Sequence, residues 1–166
     1  MNFIKSFRYA FRGIVYCIKS ERNMRIHTVA SLYVLLFARF FYLSLEKFLI
    51  LLLTISAVLA AEMVNTATEE LSDLSAEDYN PMARIAKDVA AGAVLITAIF
   101  AVVIGIFIFW DIESFKRIFE YFKLHNIRFI LLIMSFIISY FYIHFGISGI
   151  KNKIWKESFK RKQTKK

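Results

Sequence analysis

The chain of 166 residues has little of what punctuates or staples a soluble fold: one Cys, one Pro and five Gly. A single Cys excludes an internal disulfide framework. So few Pro and Gly exclude collagen-like and low-complexity chains. Acidic residues are also scarce, 13 Asp+Glu against 22 Lys+Arg, for a net charge of +9. What is abundant is apolar: 58% of the residues are hydrophobic and 17% aromatic. Ordinary soluble domains are about 45–50% apolar, and disordered chains far less. A basic balance suits either nucleic acid or an anionic membrane face. The apolar residues are gathered in long runs, which decides for the membrane and against a nucleic-acid partner.

A bilayer core of about 30 Å needs roughly 20 apolar residues in a helix rising about 1.5 Å each. Four stretches approach or reach that length. The first is 28–45, interrupted by Arg39. The second is 48–61, continuing as a polar but helix-compatible segment to Leu71. The third, 89–110, and the fourth, 129–150, carry no charge, although His144 lies in the fourth. Ser44-Leu-Glu-Lys47 makes a short connection between the first two. The expected fold is all-α, an integral membrane helical bundle. It has an N-terminal amphipathic surface helix, three core transmembrane helices and a fourth. Residues 1–110 are expected to form the functional domain. Residues 111–166 add a connection at 111–128, the fourth span and a basic tail at 151–166.

Orientation follows the Lys/Arg bias of the flanks. Residues 1–27, 73–88 and 151–166 together hold sixteen Lys and Arg, against five on the other side. Both termini are therefore expected in the cytoplasm. The N-terminal charges recur too often for the apolar core of a signal peptide. Instead Phe3, Phe7, Phe11, Ile14 and Ile18 recur at helical spacing, with Lys5, Arg8, Arg12 and Lys19 mostly on other faces. That pattern fits an interfacial helix or a helix packed on the bundle. Cys17 on it reads as an unmodified thiol, with palmitoylation the alternative. Gly92 reads at most as a close-packing position.

Charged groups near the centre of a span cost on the order of 2.5–3.5 kcal/mol each on insertion scales. The second span nevertheless carries Glu62, Asn65 and Glu69 at offsets of 3, 4 and 7, which puts them on one helical face. Asp73 extends that stripe. Arg84, Lys87 and Asp88 begin the third span, and Glu21 and Arg25 stand at the start of the first. These groups share one membrane level. Clustered carboxylates repel unless a cation or protons intervene. Mg²⁺ takes oxygen ligands and bridges to substrate phosphates, and Lys and Arg suit the phosphates themselves. Phosphoryl transfer by positioning and charge stabilisation follows as one reading. A structural ion-pair and amide network is another. A proton or ion pathway is a third, opposed by the uncharged third and fourth spans. No GxxxxGK[ST] or dinucleotide-binding glycine pattern occurs, so any nucleotide site is unconventional.

Three motifs carry a resemblance. Glu62-Met-Val-Asn-Thr-Ala-Thr-Glu69 resembles E-x-x-N-[ST]-A-x-E, and Ala86-Lys-Asp-Val-Ala-Ala-Gly-Ala-Val94 resembles A-K-D-x-x-[AS]-[AG]-A-V. Ser20-Glu-Arg-Asn-Met-Arg25 resembles N-E-x-[AN]-x-R. In order and spacing they are similar to the small prokaryotic membrane kinases of the diacylglycerol kinase and undecaprenol kinase family, over about residues 1–110. Arg22-Asn-Met-Arg-Ile-His27 and the segment 85–95 look closer to the undecaprenol kinases. A common Tyr-His-Pro of the family reads Tyr79-Asn-Pro81 here.

The resemblance implies a homotrimer with active sites shared between neighbours. It implies Glu62 as general base on a lipid hydroxyl, and Glu21 and Glu69 as Mg²⁺-binding carboxylates at the nucleotide. Asn65 would lie near the transfer site, and Lys87 and Asp88 at the ATP. Tyr9 and Asp73 would make further nucleotide contacts. The expected activity is transfer of the ATP γ-phosphate to a membrane lipid alcohol, undecaprenol first. Diacylglycerol is the alternative substrate, and a non-catalytic scaffold the alternative function. Desolvation at the hydrocarbon edge disfavours a carboxylate's charge, which suits Glu62 to a base's work.

Overall fold

A computed structural model describes residues 3–74 and 80–146. They form six helices: α1 Phe3–Ser20, α2 Arg22–Ala38, α3 Leu45–Leu74, α4 Pro81–Phe109, α5 Ile112–Leu124 and α6 Asn126–Phe145. No strand occurs among the described residues. Tyr79 and the tail at 151–166 lie outside them.

Three helices are long and apolar enough to cross a membrane, namely α3, α4 and α6. α3 joins the expected second span and its polar extension into one helix of 30 residues. α4 takes in the third run and begins earlier, at Pro81. Its start has a local cause: Pro81 occupies the first turn, and the Asn80 side chain accepts a hydrogen bond from the Met82 amide at 2.9 Å. Asn80, which stands where the resembled Tyr-His-Pro pattern has His, is thus engaged in capping. α6 begins earlier than the fourth run, at Asn126, and ends at Phe145 before Gly146, whose φ of 63° lies in the left-handed region; residues 147–150 of that run lie outside the described residues.

The first span differs from expectation. α2 begins six residues earlier than position 28 and ends at Ala38, beside Arg39, after 17 residues. At about 1.5 Å per residue it reaches about 25 Å, short of a full hydrocarbon core. The chain then turns through Tyr42, whose φ is 45°. Arg117 fastens this turn by donating from Nε and Nη2 to the Phe40 carbonyl at 3.2 and 3.1 Å. Arg117 belongs to α5, a helix where the sequence suggested only a connection. The Asp111 carboxylate starts α5 by accepting from the Glu113 amide at 3.2 Å and from the Ser114 hydroxyl.

α3 and α4 pack antiparallel: Leu51 shares a buried cluster with Ile108 at one end, and the Ser72 hydroxyl donates to the Ala83 carbonyl at 3.4 Å at the other. Ala38 completes that cluster, flanked by Val34, Leu35 and Ile55. α2 is held to α6 mid-helix by Tyr33, which stacks on Phe136 (4.6 Å) and meets the Ser135 and Ser139 hydroxyls at 2.9 and 3.0 Å. Hydroxyls along α3, such as Thr54 and Ser56, bond to carbonyls one turn back, as polar groups in a span must. The position of Gly92 has no neighbour within 4 Å of where a Cβ would stand, so close packing within the chain is not its reason.

α1 divides in two. Phe3, Phe7 and Phe11 are exposed, leaving the apolar stripe uncovered by protein. Its last turns pack against the bundle, where Cys17 is buried. Burial pushes that thiol's pKa up and closes it to acylation, in line with the unmodified reading.

Candidate active site

The polar cluster forms where the end of α1, the start of α2 and the inner half of α3 meet. Glu62 is the centre. Its side chain is 1% exposed, and its Oε1 stands 3.6 Å from Nε2 of His27 on α2. That contact is an ion pair only when the imidazole is protonated. Neither Oε1 of Glu62 nor Oδ1 of Asn65 has a hydrogen-bond partner among the described residues, and both are buried. Such orphaned acceptors are costly and uncommon in native folds. Around them Asn65 donates from Nδ2 to Glu69 at 3.0 Å, and the buried Thr66 hydroxyl donates to the Glu62 carbonyl at 2.9 Å. Glu21, in extended conformation between α1 and α2 (φ −101°, ψ 128°), and Glu69 are both within electrostatic reach of Glu62.

The cluster continues outward along α3. The Tyr16 hydroxyl on α1 donates to Glu70 at 2.6 Å. Burial, and then this hydrogen bond, hold that hydroxyl's pKa above the usual phenol range, so it remains a donor. One turn further, Asp73 pairs with Lys87 of α4 at 2.8 Å. Arg25 on the first turn of α2 is buried, 7% exposed. It donates to the Ile18 and Lys19 carbonyls at the end of α1 (3.4 and 3.1 Å) and to the Ile143 carbonyl near the end of α6 (3.2 Å). Cations at helix C-termini are favourable, and here one guanidinium serves two.

The structure thus gathers Glu21, Glu62, Asn65 and Glu69, and pairs Asp73 with Lys87. Tyr9 and Asp88 are exposed, and no hydrogen bond or ion pair among the described residues ties either to the cluster. His27 and Tyr16 were not singled out from sequence. The spacing of Asn23 to His27 on α2, and of Tyr9 to Tyr16 on α1, puts each pair on one helical face, which is the signal they carried.

The family model of prokaryotic diacylglycerol kinase matches residues 8–109. The chain belongs to that family. Over 105 residues it is 43% identical to the diacylglycerol kinase of Synechocystis sp., covering 63% of this chain and 60% of that protein. Over 108 residues it is 39% identical to the undecaprenol kinase of Bacillus subtilis, covering 65% of this chain and 88% of that one. The chain therefore spans less than two thirds of the first relative. No solved structure matches. Every residue of the cluster falls inside the diacylglycerol kinase family match, whereas α5 and α6 lie beyond it.

Proposed function

We propose that this membrane protein is an ATP- and Mg²⁺-dependent lipid kinase that phosphorylates undecaprenol. The observation that carries the proposal is Glu62. It is a buried carboxylate whose Oε1 has no hydrogen-bond donor among the described residues, beside a second orphaned acceptor on Asn65. A long-chain alcohol lying in the bilayer brings a hydroxyl that would satisfy one of them.

Glu62 takes the proton from that hydroxyl. The lipid oxygen forms a bond to the γ-phosphorus of ATP, the bond to the β–γ bridging oxygen breaks, and ADP leaves. Glu62 then returns its proton to water. His27 stands against the same carboxylate oxygen and orients it. Lys87, at the outer end of the cluster, is suited to the phosphates once they compete with Asp73 for its ammonium.

Mg²⁺ fits the donor set, which is hard oxygen from Glu21 and Glu69. Among the described residues no three metal-ligating side chains gather at one point. The two carboxylates would hold the ion, with ATP and water completing its shell as is usual for Mg²⁺. When bound, it neutralises phosphate charge. Tyr9 and Asp88, exposed at the edge, belong to the nucleotide side. Residues 1–110 form the kinase unit, in a homotrimer with shared sites. That assembly is supported by the resemblance and by the uncovered apolar faces of α3 and α4. Both termini face the cytoplasm of a bacterial inner membrane, where ATP is found.

Purified full-length chain with labelled ATP and Mg²⁺, assayed in parallel against undecaprenol and diacylglycerol, tests the reading. Undecaprenol is expected to be labelled faster. Faster labelling of diacylglycerol replaces the substrate, and labelling of neither leaves a non-catalytic scaffold.

A further inference from the structure

Far from Glu62, a pocket of about 490 Å³ opens where α2 ends and α5 meets α6. Arg39 lies twelve residues beyond His27 along the chain of α2, which corresponds to about 18 Å of helix. Leu36, Leu131 and Leu132 form apolar walls, and Arg39, Arg128 and Tyr121 supply the polar side. Both guanidiniums rest on the Tyr121 ring, Arg39 at 5.8 Å and Arg128 at 5.2 Å from its centroid. Arg128 also donates to the Tyr121 hydroxyl.

Neither arginine has a carboxylate within ion-pair distance among the described residues, whereas their neighbour Arg117 has Asp111 at 3.4 Å. Two cations held on one ring without an anion repel each other. Leu36 and Leu131 are themselves exposed, so the walls face the hydrocarbon. The vacant chemistry is a phosphate oxygen pair between planar guanidiniums, attached to a chain that lies along leucines.

We infer that Arg39 and Arg128 form a binding site for the phosphodiester of an anionic glycerophospholipid, separate from the Glu62 cluster. The ligand's acyl chain runs over Leu36 and Leu131. The site belongs to the junction with α5 and α6, so it does not depend on the proposed kinase chemistry.

Native mass spectrometry of the detergent-purified full chain tests the site with phosphatidylglycerol, phosphatidylcholine and inorganic phosphate as probes. The wild type is expected to retain phosphatidylglycerol in preference to phosphatidylcholine, and millimolar inorganic phosphate is expected not to displace it. The double variant Arg39→Ala/Arg128→Ala should retain it about tenfold more weakly, the effect of losing charge-assisted contacts. Arg39→Lys/Arg128→Lys should recover part of the loss. The basic tail is intact in all of these, so its contribution cancels. Should the double alanine variant fail to fold, Arg128→Gln carries the comparison, since that side chain is exposed and its hydrogen bond among the described residues goes to Tyr121. Equal retention by wild type and variants overturns the site. Displacement by inorganic phosphate overturns the lipid as its ligand.

Discussion

Replacing Glu62 by Gln separates a catalytic carboxylate from a structural one, because the two roles predict opposite signs for stability. The amide has nearly the same shape but carries no charge and takes up no proton. If Glu62 is the base, the proposed transfer should slow by about 10²–10⁴-fold, the usual worth of general base catalysis, or about 3–5 kcal/mol of barrier. The apparent affinity for ATP should change little.

Stability should move the other way. The wild-type carboxylate is 1% exposed, its Oε1 has no hydrogen-bond partner among the described residues, and the basic group within ion-pair distance of it there is the His27 imidazole at 3.6 Å, a cation only when protonated. Removing that buried charge should raise the melting temperature by about 2–4 °C, the shift that about 1 kcal/mol produces in a chain of this size. A structural ion pair between His27 and Glu62 would behave differently: breaking it by removing one partner costs about 3–5 kcal/mol. Turnover with undecaprenol and thermal unfolding in the same detergent give both readings. A Gln variant that unfolds earlier and keeps more than a tenth of its turnover would refute the assignment.

Other outcomes follow from contacts away from that carboxylate. Arg25→Ala removes three charge-assisted hydrogen bonds to helix-end carbonyls and should destabilise the fold by about 3–5 kcal/mol. Protease cleavage at the junction of α1 and α2, where two of those carbonyls lie, should rise with it, and unchanged cleavage would sink the claim. Tyr33→Phe loses the contacts with Ser135 and Ser139 but keeps the stack on Phe136, so it should cost about 0.6–1.7 kcal/mol, read from thermal unfolding. The Ser114 hydroxyl, ahead of the backbone amides, holds the Asp111 carboxyl below the usual carboxylate range. A depressed folded-state pKa gives stability that is present above the unfolded value and lost as pH falls through the folded one. Amide exchange over residues 112–124 should therefore quicken only at acidic pH, below the ordinary Asp range. Protection unchanged there would refute the cap.

The long apolar runs of α3, α4 and α6 made those helices legible, because span length is a property of one segment alone. α5 was not. Its Phe115, Ile118, Phe119 and Phe122 recur at helical spacing, but Lys116, Arg117, Glu120 and Lys123 interrupt any run. The end of α2 was misplaced for the opposite reason: residues 40–43 remain apolar or aromatic, yet the backbone turns at Tyr42. In the candidate site, the offsets of Glu62, Asn65 and Glu69 were readable as one stripe. They did not reveal that Asn65 turns to Glu69 while Glu62 faces His27. Nor could they place Tyr16 against Glu70. Those pairings depend on the register between helices, which spacing within one helix does not encode.

The guanidinium that joins α1 to α6 has a bearing on biogenesis. Two of its carbonyl acceptors are synthesised just before it, but the third arrives 118 residues later. Until α6 inserts, that cation has only its early neighbours. Insertion of α6 then ties its own end to the end of α1, beside the helix starts where the acidic groups assemble.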